Sequence, residues 1–251
     1  MSILPVRDHL EFKTYILSCA RERDLNNMDI YPPEFDDLYS LYSKVRKKRS
    51  IAILEFGSGW STLALTLALD ENRLSYGKYV TNHIRHPNAY LLMSVDCSSE
   101  FQNIALDRIQ NPLDSDLVVP VISSAKMAVL NGQICHLYDR IPPFTADFIY
   151  LDGPDCDQVV GDVNGMSVRF GSPEYTYGLP MSGDLLLLEP FMWPGTVIVT
   201  DGRGANAYFL KNNFRRQWDY SYDKECDQHI FELLDAPWGE ISGQLMKFRN
   251  M

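Results

Sequence analysis

Short apolar runs alternate with helical patterns through the middle of the chain. Runs of apolar residues with the length of strands buried on both faces of a sheet occur at 51–54, 90–95, 148–151 and 196–200. The apolar spacing of a helix occurs at 61–69, 99–109, 184–191 and 205–214. Strands that alternate with helices predict a parallel sheet that is covered by helices on both faces.

The two ends of the chain have different patterns. Apolar residues at helical spacing predict one helix at 10–20 and a second after Pro33, at 35–45. We therefore expect an N-terminal helical extension at residues 1–50, before the sheet begins. At the other end, the runs at 220–222 and 229–234 predict an antiparallel pair of strands that closes the domain.

Two segments have less regular patterns. We predict a hairpin between 118–122 and 134–138, around the turn Asn131-Gly132. The polar segment 72–88 is predicted to be an insertion that follows the helix at 61–69. The long Gly-containing stretch 156–183, with Tyr175 and Tyr177, is predicted to be a loop that faces the substrate.

Composition places the chain among globular proteins. It has 251 residues, of which 45% are hydrophobic and 22% are charged, so disordered and fibrous classes are excluded. The formal charge of −10 argues against a general nucleic-acid partner. The 5 cysteines contain no Cys-x-x-Cys, and charged residues break every long apolar stretch. We expect a cytoplasmic protein with no membrane partner.

Acidic side chains follow four of the predicted strands. Glu55, Asp96, Asp152 and Asp201 each stand at the end of an apolar run. In parallel sheets, ligands bind beyond the carboxyl ends of the strands. The turn Gly57-Ser58-Gly59 follows the first strand and would let a ligand approach the backbone at a helix N-terminus. These positions predict a binding site along one edge of the sheet.

The same residues resemble a known family. Residues 55–62, Glu-Phe-Gly-Ser-Gly-Trp-Ser-Thr, are similar to motif I of class I S-adenosylmethionine-dependent methyltransferases, in its E-x-G-x-G-x-S-T variant. Residues 147–153 and 194–202 agree with that family in order and spacing. The resemblance implies an α/β, Rossmann-like, seven-stranded and mostly parallel sheet with a final antiparallel strand, helices on both faces and an N-terminal helical cap. It also implies that residues 51–251 form the S-adenosylmethionine-binding domain.

The resemblance implies roles in cofactor binding. The turn Gly57-Ser58-Gly59 would pack against the methionine part of S-adenosylmethionine, with Glu55 near its amino group. Asp96 would hold the ribose hydroxyls. Adenine would meet a residue after the third strand, either Tyr138 or Asp139. Asp152 is also expected beside the cofactor.

The resemblance also implies candidate catalytic residues. Methyl transfer requires an aligned nucleophile and a group that removes its proton. Asp152, Asp201 and His229 are the candidate bases. In some related O-methyltransferases, acids at the positions of Asp152 and Asp201 bind a divalent metal. The family's third ligand is replaced here by Gly202, so whether Mg²⁺ takes part stays open.

We expect a methyltransferase for a small molecule, acting on a hydroxyl group. The sequence after the fourth strand, Asp152 to Asp155, lacks the Asx-Pro-Pro-aromatic motif of amino-methyltransferases. Three alternatives stay open: a nicotinamide-dependent oxidoreductase, a non-catalytic binding module, and an oxidative enzyme similar to cephalosporin hydroxylases. The N-terminal helices are candidates either for capping the substrate site or for forming a homodimer.

Overall fold

A central sheet of seven strands organises the molecule. The computed structural model describes residues 6–26, 31–110, 112–172, 175–178 and 181–251. The strands are β1 (Ala52–Phe56), β2 (Leu91–Asp96), β3 (Val118–Ile122), β4 (Ala125–Leu130), β5 (Gln133–Tyr138), β6 (Phe148–Leu151), β7 (Val159–Val160), β8 (Arg169–Ser172), β9 (Tyr175–Gly178), β10 (Val197–Asp201), β11 (Trp218–Asp223) and β12 (Gln228–Leu233). The helices are α1 (His9–Ser18), α2 (Glu22–Asn26), α3 (Phe35–Lys47), α4 (Trp60–His83), α5 (Ser99–Ile109), α6 (Asp184–Leu188), α7 (Gly204–Asn213) and α8 (Glu240–Arg249).

The strand order in the central sheet is β11-β12-β10-β6-β1-β2-β3. Strands β10, β6, β1, β2 and β3 run parallel, and β12 runs antiparallel to both of its neighbours. Phe56 is paired with Leu151, and Leu151 with Thr200, so the residues after these positions emerge side by side. The predicted Rossmann-like sheet, with its antiparallel final strand, is confirmed.

Helices cover both faces of the sheet, as expected. One hydrophobic cluster joins α1, α3, α4 and α8 to the sheet and includes Phe12, Leu41, Leu65, Phe148 and Phe248. A second cluster, on the other face, joins α6 and α7 to the sheet and includes Phe56, Leu151, Leu185, Ile198 and Leu210. The alternation of side chains along each strand therefore separates two cores.

The predicted hairpin between 118–122 and 134–138 is wrong in its first strand. β3 pairs in parallel with β2 at the edge of the central sheet. The hairpin is formed by β4 and β5, and Asn131 and Gly132, both with positive φ, make its turn. A two-residue turn joins the strands that directly flank it, and the segment directly before Asn131 is β4 rather than β3.

Most of the segment predicted as an insertion, 72–88, is helical, because α4 continues to His83. The polar residues that interrupt its apolar pattern are buried against α3. Glu71 accepts a hydrogen bond from the Tyr42 hydroxyl at 2.6 Å and lies 3.1 Å from the Arg46 guanidinium. The Asn72 amide donates to the Val45 carbonyl at 3.2 Å. Glu71 and Asn72 therefore contact α3, and the spacing of apolar residues within one segment does not predict contacts with another helix.

Two other helices have features that the sequence pattern does not predict. Ser98 caps α5, because its side chain accepts the Phe101 N–H at 3.2 Å. α8 has no counterpart in the sequence prediction, although Leu245 and Phe248 are buried in the first cluster. Over the described residues, no helix has both the length and the apolar character needed to cross a membrane.

Candidate active site

A cavity of about 350 Å³ opens at the carboxyl edge of the sheet. Its wall is formed by the turns after β1 and β2, the ends of β6 and β10, and side chains of α3 and α5. Six of the predicted site residues line this cavity: Gly57, Ser58, Gly59, Asp96, Asp152 and Asp201. The volume is typical of a site for a small molecule.

The two glycines of the first turn have different surroundings. Gly57 has φ +89°, a backbone conformation that residues with a side chain rarely adopt. Gly59 has an extended φ that any residue could adopt, and a Cβ built on it would meet no atom within 4 Å. Because Gly59 lines the cavity, that free space is room in which a ligand can approach the backbone.

Asp96 is tied to the glycine turn. Its Oδ2 accepts the Ser58 backbone N–H at 2.6 Å and the Ser58 hydroxyl at 2.5 Å, and its Oδ1 accepts the Ser98 N–H at 2.7 Å. Each carboxylate oxygen can accept more than one hydrogen bond. The carboxylate is therefore oriented by the protein and still has acceptor capacity for a ligand.

Glu55 lies beneath the turn and is not part of the cavity wall. It is fully buried and accepts hydrogen bonds from the hydroxyls of Ser61, Thr62 and Ser94 at 2.7, 2.8 and 2.7 Å. Burial raises the pKa of Glu55 to about 7, although the three hydroxyls oppose this. Since Thr62 Oγ1 also accepts the Gly59 N–H at 3.0 Å, Glu55 supports the turn from below.

Asp152 and Asp201 stand at the ends of neighbouring strands, and the charge of Arg203 acts on both carboxyl groups. The Arg203 guanidinium lies 3.4 Å from Asp152 Oδ1 and 3.5 Å from Asp155 Oδ1. Burial raises the pKa of Asp152 to about 6, with Arg203 acting in the opposite direction. Burial and the negative charge of Asp152 raise the pKa of Asp201 to about 7. Both carboxyl groups are therefore able to exchange protons near neutral pH.

The start of α3 adds two acids that the sequence pattern does not single out, Glu34 directly before the helix and Asp37 in its first turn. Glu34 and Asp37 line the cavity opposite the strand ends. Burial, together with Glu34 and Asp201, raises the pKa of Asp37 to about 7. In the sequence these acids stand at the start of a helix, where negative side chains are common in any case. Their position means that the N-terminal helices contribute to the site.

A buried arginine forms another part of the wall that sequence reasoning missed. Arg108 of α5 lines the cavity, and its guanidinium carbon lies 3.7 Å from the centre of the Trp60 ring. Asp24 of α2 pairs with it at 2.8 Å, and the two side chains are only 2% and 1% exposed. Burial raises the pKa of Asp24, but the bonds from Arg108 outweigh it and hold that pKa below its usual range.

The two residues predicted at adenine lie elsewhere. Tyr138 ends β5 and stacks on Phe56 with ring centres 5.7 Å apart, within the second cluster. Asp139 is ion-paired with Lys126 and accepts the Ser124 hydroxyl at 2.6 Å. Neither residue lines the cavity, because the strand that continues the central sheet here is β3 rather than β5.

His229 is also separate from the cavity. Its Nδ1 lies 2.9 Å from the Tyr220 hydroxyl, and its ring stacks on Tyr222 with centres 4.6 Å apart. Burial lowers its pKa, with Asp227 acting in the opposite direction. The structure places this candidate base in the contact between β11 and β12.

The donor set does not fit a catalytic metal. Asp152 is paired with Arg203, and the position after Asp201 is Gly202, which offers no side-chain ligand. In the described part of the chain, no group of three or more His, Cys, Asp or Glu residues is arranged to hold a metal ion. Hard cations such as Mg²⁺ need more oxygen ligands than two carboxylates supply.

The predicted substrate loop contains three short strands. β7 pairs with β4, and β8 pairs with β9. The side chains of Tyr175 and Tyr177, which we expected to face the substrate, lie outside the described residues. Their role stays a prediction.

Comparisons with known proteins show the fold. No protein-family model matches the sequence, and no curated protein matches it. A methyltransferase from Geobacter sulfurreducens superposes with a TM-score of 0.50 at 10% identity, over 92% of each chain. The O-methyltransferase TomG from Streptomyces achromogenes, in complex with SAM, gives a TM-score of 0.48 at 16% identity, over 94% of this chain and 93% of that one. The SAH-bound methyltransferase PaMTH1 from Podospora anserina gives a TM-score of 0.47 at 12% identity, over 94% of this chain and 100% of that one. The chain has the Rossmann-like fold of the Geobacter enzyme.

Proposed function

We propose that this chain is an S-adenosylmethionine-dependent methyltransferase that methylates a hydroxyl oxygen of a small molecule. The observation that carries the proposal is one cavity with three features. The glycine turn at 57–59 leaves room beside the backbone, Asp96 is oriented next to it, and Asp152 and Asp201 follow at the neighbouring strand ends.

The charge of the cavity supports this cofactor over a nicotinamide dinucleotide. Acidic side chains line it on several sides, among them Glu34, Asp37, Asp96, Asp155 and Asp201. S-adenosylmethionine carries a positive sulfonium and a positive ammonium group, which these carboxylates attract. A dinucleotide would bring a negatively charged pyrophosphate to the same wall, where like charges repel.

Three elements of the wall would hold the cofactor. The free space beside Gly59 accommodates an approach to the turn, and the remaining lone pairs of Asp96 accept hydrogen bonds from the ribose hydroxyls. The other carboxylates of the wall attract the positively charged sulfonium and ammonium groups of the cofactor. Glu55 keeps the turn in place through Thr62 rather than by touching the ligand.

The strand-end acids would perform the proton chemistry. When bound, S-adenosylmethionine supplies a methyl group that is already activated by its sulfonium. The chain must therefore align the acceptor hydroxyl and take its proton. Asp201, with a pKa of about 7, accepts this proton on its carboxylate. Arg203 stabilises the ionised form of Asp152, which leaves Asp201 as the more basic of the two.

Calorimetric titration tests the proposal directly. We expect the purified protein to bind S-adenosylhomocysteine with a micromolar dissociation constant, which Mg²⁺ leaves unchanged, and to bind NAD⁺ far more weakly. The absence of binding at millimolar S-adenosylhomocysteine would overturn the proposed function. A dissociation constant that falls with Mg²⁺ would show that a cation joins the site after all.

A further inference from the structure

The side of the cavity that α3 forms carries negative charge without a counter-charge from the protein. Glu34 and Asp37 line the cavity there, opposite Asp201 at the end of β10. Arg108 of the same wall is already paired with Asp24 at 2.8 Å. In the described part of the chain, none of the three carboxylates has an ion-pair partner of its own. We call Glu34, Asp37 and Asp201 the unpaired acids.

Tyr150 of β6 offers an uncharged polar group to the same cavity. The residue is only 4% exposed, yet it lines the cavity. It belongs to the first hydrophobic cluster, so its side chain leaves the sheet on the face that α3 and α4 cover. Its hydroxyl makes no hydrogen bond to another described residue, and burial together with the charges of Asp152 and Asp201 raises its pKa well above the usual value. The hydroxyl therefore stays protonated and is available to a ligand.

Apolar side chains complete this side of the cavity. Leu38 and Leu41 of α3 line it together with Trp60, the first residue of α4. All three are buried, and the Trp60 indole N–H donates to the Tyr31 carbonyl at 3.0 Å, which fixes the ring. A ligand that fits here has an apolar body beside its polar groups.

The cofactor alone does not balance the charge of the wall. S-adenosylmethionine carries a sulfonium, an ammonium and a carboxylate group, so it brings one net positive charge. Arg203 pairs with Asp152 and Asp155, but the unpaired acids keep no such partner. Burial and neighbouring carboxylates raise the pKa of Asp37 and of Asp201 to about 7. A second positive group in the cavity would relieve this repulsion.

We infer that the methyl acceptor is a hydroxyl compound that also carries a protonated amine, and that Glu34, Asp37 and Tyr150 bind its ammonium group. This inference rests on the proposed function and names the substrate class of that site. The ammonium N–H groups donate to the two carboxylates and to the Tyr150 hydroxyl oxygen. Asp201 stays available for the proton of the acceptor hydroxyl. Protonation also removes the lone pair of the amine nitrogen, so that the oxygen is the methylated atom.

A first experiment compares three phenols of similar size and different charge. Tyramine is a cation, tyrosol is neutral and 4-hydroxyphenylacetate is an anion. Each is titrated by calorimetry into the full chain saturated with sinefungin, a cofactor analogue with a charged amine in place of the methylated sulfonium. We expect tyramine to bind at least about tenfold more tightly than tyrosol, and the anion to bind most weakly. Equal or tighter binding of either other phenol, or the absence of tyramine binding, overturns the inference.

A second experiment assigns the preference to particular side chains. Asp37→Asn should raise the dissociation constant of tyramine about tenfold and leave that of tyrosol within about twofold, and Tyr150→Phe should raise that of tyramine about threefold to fivefold. Asp36→Asn is the matched control, because Asp36 is the neighbouring acid of α3, is 84% exposed and pairs with His9 outside the cavity. It should keep the parent preference.

The variants also separate a binding site from general effects. Equal losses of tyramine binding in Asp36→Asn and Asp37→Asn would show attraction by the surface charge as a whole and would overturn the inference. The Tm of Tyr150→Phe should match that of the parent chain, since its hydroxyl has no partner among the described residues. A lower Tm together with unchanged tyramine binding would mean that the hydroxyl serves the fold instead.

The choice of cofactor analogue distinguishes this inference from the proposed function. If the preference for tyramine appears with S-adenosylhomocysteine, which lacks the sulfonium charge, and disappears with sinefungin, the unpaired acids serve the charge of the cofactor. That result overturns the inference and leaves the proposed function intact. Loss of S-adenosylhomocysteine binding by the parent chain defeats the proposed function itself.

Discussion

Gly57 and Gly153 pack backbone against backbone, where the turns after β1 and β6 meet. A Cβ on Gly57 would lie 2.8 Å from the Gly153 nitrogen, and a Cβ on Gly153 would lie 2.6 Å from the Gly57 Cα. Contacts this short between a Cβ and backbone atoms are not tolerated without a shift of the chain. This packing fixes the first turn against the neighbouring strand end and sets the position of Gly59 and Asp152 on the cavity wall.

The two glycines of the first turn should therefore respond differently to substitution. Gly57→Ala forces a side chain into a positive φ and against the Gly153 backbone, so we expect a loss of about 2–4 kcal/mol in the free energy of unfolding. Gly59→Ala should leave stability within about 0.5 kcal/mol but weaken S-adenosylhomocysteine binding at least tenfold, because the methyl group enters the cavity. Urea unfolding and calorimetry measure the two effects. Equal losses of stability would contradict the distinction.

Asp96 should matter for ligand binding in a way that Asp139 does not. Asp96→Ala removes acceptors at the cavity, so we expect it to weaken S-adenosylhomocysteine binding by about 1–3 kcal/mol. Asp139 was also predicted at the cofactor, but it is exposed and outside the cavity, so Asp139→Ala serves as the control. Calorimetry on the two variants tests this directly. An unchanged dissociation constant for Asp96→Ala would remove the ribose-binding role.

The strand-end residues of the site could be predicted from the sequence because the fold itself brings them together. Gly57, Asp96, Asp152 and Asp201 each follow a buried apolar run, and parallel strands end at one edge. The prediction needed only the identity and direction of the strands. Tyr138 lies outside the cavity because the run at 134–138 belongs to a hairpin outside the central sheet.

The rest of the wall depends on contacts between distant segments. Asp24 and Arg108 are separated by 84 residues and meet only because α2 packs against α5. Neither residue stands in a motif, and an arginine within a helix is unremarkable by itself. The same holds for Asp37, whose proximity to Asp201 requires α3 to lie over the sheet edge.

The Asp24–Arg108 pair should show strong coupling in a double-mutant cycle. Asp24→Leu leaves the Arg108 charge buried without its partner, and Arg108→Met leaves Asp24 buried alone. We expect each single variant to lose about 3–5 kcal/mol in the free energy of unfolding, and the double variant to lose much less than the sum. Urea unfolding of the four proteins gives the coupling. Additive losses would mean that the pair contributes nothing as a unit.

Glu55 should make stability fall as pH rises towards neutrality. Its pKa is raised by burial from the ordinary value of 4.5 to about 7, so unfolding releases a proton between these values. The stabilising contribution of the protonated acid is full below about pH 4.5 and is lost as pH rises through about 7. We expect Glu55→Gln to remove roughly 3 kcal/mol of this pH-dependent change.

Urea unfolding from pH 4.5 to pH 8 measures that contribution. Asp139→Asn is the control, since its ion pair with Lys126 holds the pKa of Asp139 below its usual range and outside this window. In the Asp139→Asn control, the free energy of unfolding should change with pH as it does in the parent chain. If the free energy of unfolding of Glu55→Gln also changed with pH as it does in the parent chain, Glu55 would not titrate in this interval.

Asp201 should determine the pH dependence of methyl transfer. A base with a pKa of about 7 accepts a proton only in its ionised form, so kcat/KM should rise with pH and level off above about pH 8. Asp201→Asn should lower kcat/KM by about 10²- to 10⁴-fold and abolish this rise, while the dissociation constant of S-adenosylhomocysteine changes little.

His229→Gln is the matched comparison, because His229 was also a candidate base and lies between Tyr220 and Tyr222, away from the cavity. It should keep the pH profile of the parent chain. A profile that is lost in His229→Gln and retained in Asp201→Asn would exchange the roles of the two residues.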